Sequence, residues 1–177
     1  MVERTNAEVP VKKNIVQILI MFLLSPSAFA SSMGTVEDPK NCTQCGMDRV
    51  VFAQSRMLVV YGDKKRVGVC SIHCAAAELQ HNSGKQVSSL MVADFYTKRL
   101  LDARTAVWVV GGKKTGVMTA EAKWAFAKRE DALRFVKENG GGVNSFDKTM
   151  NSAVAEVMEH AAEERAVESE MLHELRQ

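Results

Sequence analysis

The sequence predicts an α+β fold made of two similar ββαβ units followed by a helical C-terminal tail. Three observations carry that prediction. Short runs rich in β-branched residues come in pairs joined by Gly-containing turns. Each pair is followed by an amphipathic stretch that ends in helix-stop residues. Residues 147–177 contain neither Gly nor Pro and shift to Ala, Glu and Met. The order of elements thus recurs, as a repeat of architecture rather than of residues.

The chain opens on an export signal. Lys12 and Lys13 flank an apolar run from Ile15 to Leu24, broken only by Gln17. Ser25-Pro26 then ends any helix, and Ala28-Phe29-Ala30 offers the small residues a signal peptidase reads. A membrane span needs about 20 apolar residues, roughly twice this run. Cleavage after Ala30 is therefore predicted, leaving a periplasmic protein that begins at Ser31, with no stable membrane insertion. No Cys stands at the cut, so no lipid anchor is predicted. The predicted organisation is a signal peptide over 1–30, a domain over 31–146 with units at about 45–95 and 106–146, and a charged helical tail over 147–177.

Within the first unit, Met57-Leu58-Val59-Val60-Tyr61 reads as a buried strand, turned by Gly62-Asp63. Val67-Gly68-Val69-Cys70 returns as its partner, and Ser71 is placed to cap a short helix from Ile72 to about Gln80. Asn82-Ser83-Gly84 stops that helix, and Leu90 to Phe95 is the third strand. The second unit repeats the plan. Ala106-Val107-Trp108-Val109-Val110 is a strand and 111–116 a Gly-containing loop. Trp124-Ala125-Phe126-Ala127 is a strand, the run from Glu130 to Val136 an amphipathic helix, and Val143 to Phe146 the last strand. The tail's apolar seam runs through Met150, Val154, Val157 and Ala161, then meets Glu164 and Glu168. A coiled coil would not put two glutamates in its seam, so the tail is either partly docked and frayed or, less simply, a dimerisation helix.

Charge excludes one class of partner. Basic and acidic residues number 23 and 21 and are interspersed, with Lys64-Lys65-Arg66 the only basic cluster, so no nucleic-acid footprint exists. The sequence leaves the oligomeric state undetermined. Nothing resembles a hydrolytic triad, a phosphate-cradling loop or a carboxylate pair.

The chemistry lies in sulfur. Cys42-Thr43-Gln44-Cys45 forms a pair on a loop ahead of the first strand, while Cys70 and Cys74 bracket a strand end and the next helix turn. The helix N-terminus favours a thiolate at Cys74. Four thiolates alone suit zinc, but Met47 follows Cys45 across Gly46, and thioethers suit copper(I). Bland readings stand beside these. In an exported chain four cysteines can be two disulfides, Cys42 as readily as not, and Met47 can simply pack. His73 can be a capping side chain or a ligand, whereas His81, His160 and His173 sit in polar surroundings and are expected to be exposed.

These residues carry a resemblance. The run Cys45-Gly46-Met47, the Gly-Asp hairpin, and Val69-Cys70-Ser71-Ile72-His73-Cys74-Ala75 are similar to the NosL family of copper-binding accessory proteins. So are Val107-Trp108-Val109-Val110-Gly111, Gly116-Val117-Met118, Ala125-Phe126-Ala127, Glu130-Asp131-Ala132 and Gly140-Gly141-Gly142-Val143, all in order from Cys42 to Phe146. The cysteine spacing also resembles the modules called TRASH domains. The resemblance implies two related ββαβ units, distant likeness to organomercurial lyase, and copper(I) delivery to a client enzyme or its assembly factors, with nitrous oxide reductase the family's client. It implies that Cys45, Met47 and Met118 are ligands, to which the chain's own pattern adds Cys70 and Cys74, with Cys42 and His73 as lesser candidates. The chain departs from the family in lacking a lipid-anchor motif and in carrying the additional Cys42, Cys70 and Cys74. The expected function is a non-catalytic metallochaperone. A thiol enzyme, for disulfide exchange or carbon–mercury chemistry, and a structural zinc or disulfide protein are the alternatives. A redox Cys pair belongs at a helix start after a strand, and Cys42 and Cys45 precede one instead.

Overall fold

The computed structural model describes residues 36–176; the signal expected over 1–30 lies outside the described residues. Strands β1 (Met57–Tyr61) and β2 (Arg66–Val69) form a hairpin, helix α1 (Ile72–His81) follows, and β3 (Val87–Ala93) and β4 (Leu100–Asp102) complete an antiparallel sheet of order β2-β1-β3-β4. Strands β5 (Val107–Val110) and β6 (Lys123–Phe126), helix α2 (Arg129–Asn139) and β7 (Gly142–Asn144) build a second antiparallel sheet of order β6-β5-β7. Both units place their first strand in the middle, flanked by their second and third. The fold is α+β, with the ββαβ plan repeated at the level of strand pairing.

Alternation explains how two sheets share one interior. Met57, Val59 and Tyr61 of β1 face the main core with Val67, Val69, Leu90 and Val92. On β5, Trp108 joins that core while Val109 faces a second cluster with Trp124, Phe126, Ala132 and Phe135. The second sheet is thus covered on both faces, by α2 on one and by the main core on the other.

The two units are joined where β3 ends. The Asp94 carboxylate accepts from Ala127 N at 2.8 Å, Thr97 N at 2.7 Å and the Thr97 hydroxyl at 2.8 Å. Phe95 N donates to Ala125 O at 2.8 Å, and the Phe95 ring lies 4.9 Å from Phe135 and 5.1 Å from Trp124. Burial alone would raise the Asp94 carboxyl, but these donors outweigh it and hold it below its ordinary range.

Helix α3 (Phe146–Glu174) starts at Ser145, whose hydroxyl accepts from Lys148 N. Its first turns bury Thr149, Met150 and Ala153 against α1 and β5, with Val154 and Val157 packed alongside. Burying a side chain as large as that of Met150 contributes about 1.5–3 kcal/mol. From residue 162 onward the helix is exposed on every side. No described helix is long and apolar enough to cross a membrane.

Four local expectations are corrected. Strand β4 was not expected, because a three-residue edge strand carries no period. Strand β3 spans Val87–Ala93 rather than 90–95, since Asp94 turns away to bind the next loop. Phe146 begins a helix instead of ending a strand. Ser71 occupies the N-cap of α1 in extended backbone, φ −158°, yet its side chain makes no capping bond.

Candidate metal centre

Residues 36–56 form a strap ahead of β1, and buried polar groups fix it to the sheet. Arg49 is fully buried. Its guanidinium donates to Val69 O at 3.1 Å, Met57 O at 3.1 Å and Glu37 O at 2.8 Å, and also to Pro39 O and the Glu37 carboxylate. Arg56 holds the same carboxylate at 3.2 Å. Gly68 makes this possible: a Cβ there would collide with the Arg49 guanidinium. Next to this anchor, Thr43 N donates to Gly68 O at 3.1 Å. Gln44 Nε2 reaches the buried Glu78 of α1 at 2.6 Å, whose other oxygen accepts from Tyr61 Oη at 2.8 Å.

The loop 42–47 is closed on itself by Cys42 N to Met47 O at 2.8 Å and Gly46 N to Cys42 O at 2.9 Å. Gly46 sits at φ +78°, a conformation that glycine adopts without penalty. This turn aims Cys42 and Cys45 at the start of α1. There Cys70, whose carbonyl is held by Ser55 Oγ at 2.8 Å, and Cys74, in the first helical turn, meet them.

All four sulfurs lie within 4.8 Å of one another. Cys45 Sγ is 3.5 Å from Cys70 Sγ, and Cys70 Sγ is 3.7 Å from Cys74 Sγ. Metal–sulfur bonds of about 2.3 Å in a tetrahedron put sulfurs about 3.8 Å apart, so one soft ion fits between them with little movement. All four are free thiols. Cys42, Cys70 and Cys74 are buried and Cys45 is exposed.

Packed thiols share one charge unequally. Hydrogen bonds from Cys70 and Cys74 hold Cys42 far below the usual thiol range, against its burial. Cys70 is pushed up to about 12, first by its bond to Cys42. Cys74 is raised further, by its bonds to Cys42 and Cys70 and then by burial. Cys74 is raised rather than lowered, so the expectation that the helix end would favour its thiolate is corrected: its sulfur neighbours and its burial outweigh the helix.

The sequence also named Met47, Met118 and His73. Met47 is half-buried and packs against the main core, to which the buried cysteines belong. Met118 lies between β5 and β6, 42% exposed, at φ +59°. His73 is not in the thiol group; its ring lies 5.6 Å from that of His160, centroid to centroid. Burial and then His160 hold the His73 imidazole below its ordinary range, Glu156 opposing and Lys123 reinforcing them. Sequence reasoning missed Glu37, Arg49, Gln44 and Glu78, the residues that fix the strap. A Glu on the apolar face of a short helix was the only signal available.

The sequence profile of one family, NosL, matches residues 32–154. The chain belongs to the NosL family. Among solved structures, the crystal structure of the copper chaperone NosL from Shewanella denitrificans matches with a TM-score of 0.51 and 23% identity, covering 64% of this chain and 92% of that one. That likeness establishes a shared NosL fold. Among curated protein sequences none matches.

Proposed function

We propose that this NosL protein is a copper(I) metallochaperone that takes up the ion on Cys42, Cys45, Cys70 and Cys74 and passes it to a client copper enzyme outside the cytoplasm. The observation that carries the reading is a group of four thiols, three buried and one exposed, with all sulfurs within 4.8 Å. Soft thiolate donors suit copper(I). The exposed Cys45 gives a partner's ligand a place to enter, as delivery requires. Membership of the NosL family and the printed description of the Shewanella protein, a copper chaperone, support the same assignment.

Met47 and Met118 serve in this proposal as thioether donors during transfer. Met118 supports it by being an exposed non-glycine residue at positive φ, a backbone state that clusters at functional sites. The client proposed is nitrous oxide reductase or one of its assembly factors, and the protein itself performs no catalysis. Export through the segment over 1–30 would bring it to that client.

A structural zinc site is the second reading, favoured by the all-sulfur donor set at tetrahedral spacing. Anaerobic competition separates the two. Reduced protein is titrated with copper(I) and with zinc against chelators of known affinity, and its fold is followed without metal. Tighter copper(I) binding on a protein already folded supports delivery. Zinc preference with unfolding of the metal-free protein would replace it with the structural reading.

A further inference from the structure

Cys45 is the exposed member of the thiol group, and its Sγ stands 3.5 Å from that of the buried Cys70. An exposed thiol touching a buried one allows thiol–disulfide exchange to begin at solvent and finish inside the protein. Both sulfurs are held at this distance from either side. Thr43 N on Gly68 O ties the Cys45 loop to β2, and Ser55 Oγ on Cys70 O ties the strap to the end of that strand. A disulfide has its sulfurs about 2.05 Å apart, so the pair need close by only roughly 1.5 Å. That is less than the sweep of a cysteine sulfur between rotamers.

We propose that Cys45 is a site of thiol–disulfide exchange with Cys70 as its resolving partner, so that the metal-free thiol group closes to a Cys45–Cys70 disulfide on meeting a small-molecule disulfide such as glutathione disulfide. The Cys45 thiolate attacks one glutathione sulfur, forms a mixed disulfide and releases the first glutathione. The Cys70 sulfur then attacks Cys45 Sγ, breaks the mixed disulfide and releases the second. Two electrons pass from the protein to the oxidant, and the two cysteine protons end on the two glutathione thiols. Cys70 outcompetes free glutathione for Cys45 because it is already in contact with it. The product bonds the strap covalently to the end of β2, and a dithiol reductant reverses both steps.

The consequence for the cargo rests on the copper(I) reading above. Closure removes two of the four sulfurs from the ion, and an ion on those sulfurs blocks the attack. Oxidation and loading therefore oppose each other, by the same factor in both directions.

Reduced, metal-free protein is treated with glutathione disulfide, quenched with N-ethylmaleimide and mapped by mass spectrometry. Free thiols should fall from four to two, with Cys45 crosslinked to Cys70 and the label on Cys42 and Cys74. Cys45→Ser should slow thiol loss about tenfold or more, since the remaining sulfurs are buried. Cys70→Ser, shown to be folded by circular dichroism, should stop at the glutathione adduct of Cys45. A Cys42–Cys45 or Cys70–Cys74 disulfide in the wild type would overturn the proposal. So would four thiols that stay free while an exposed reference thiol is consumed. Copper(I) loaded beforehand should slow crosslinking about tenfold or more, because only metal-free protein reacts. Unslowed crosslinking of the same two cysteines would instead overturn the copper(I) reading and leave the exchange reaction standing.

Discussion

Replacing Arg49 by Met tests whether the strap owes its position to one side chain. Met keeps most of the aliphatic stem and removes the guanidinium. The change takes donors away from Val69 O and Met57 O, both in buried surroundings, and leaves Glu37 with Arg56 alone. An orphaned buried acceptor costs about 1–3 kcal/mol, and breaking one side of a buried ion pair about 3–5 kcal/mol. These costs overlap, since they concern the same group, so about 3–5 kcal/mol is the expected total. That is a large part of the 5–15 kcal/mol typical of a domain. Urea unfolding of the reduced, metal-free protein measures it. Copper(I) affinity should also fall, because Cys42 and Cys45 ride on the strap and binding must then order it. A loss below about 1 kcal/mol with unchanged affinity would refute the reasoning and show that Thr43 and Gln44 hold the loop by themselves.

The thiols separate by exposure. Cys45→Ser should weaken copper(I) binding yet move the metal-free melting point by no more than about 2 °C, whereas Cys70→Ser, at a fully buried position, should cost about 1–3 kcal/mol as well. An unaltered copper(I) affinity in both would remove these sulfurs from the site. The Asp94 carboxyl is depressed in the folded state, so its stabilisation is complete above the unfolded value of about 3.9 and is lost as pH falls through the folded value. Asp94→Asn should therefore be less stable than wild type near neutrality, with the gap closing in acid; a constant gap from pH 7 to pH 3, roughly spanning that range, would contradict the linkage. Removing residues 162–177 should leave folding and copper(I) binding intact, while truncation after Ser145 should unfold the domain by stripping Met150 and Ala153 from the core. Thermal melts of the two truncations decide this, and equal stability would show that α3 is dispensable throughout.

Periodicity made much of the fold legible. The continuous apolar run from Met57 to Tyr61 and the aromatic alternation of Trp124 and Phe126 announced strands, and both are buried. Paired cysteines announced a shared site, because a hairpin between Cys45 and Cys70 can fold back on itself. What stayed hidden depends on contacts between distant segments. Leu100–Asp102 becomes a strand only because the β3 edge is there to pair with it. Cys42 looked like either a disulfide partner or a ligand, and only the strap's anchoring by Arg49 and Gln44 brings it to the other sulfurs. His160 is exposed as expected, but its approach to the His73 ring was not legible, since nothing local records that α3 packs across α1.

A cluster with one sulfur facing solvent also fixes an order of events for any ion it holds. Among the described residues three of the sulfurs are buried behind the strap and the first turn of α1, so a competing donor would approach beside Cys45. Exchange by that route is bimolecular. The acceptor must bind before the ion leaves, the bond to Cys45 is the first to break, and the buried sulfurs release last. Transfer would then speed up in proportion to acceptor concentration, while spontaneous loss to water stays slow, so that the ion is handed over on contact and seldom set free.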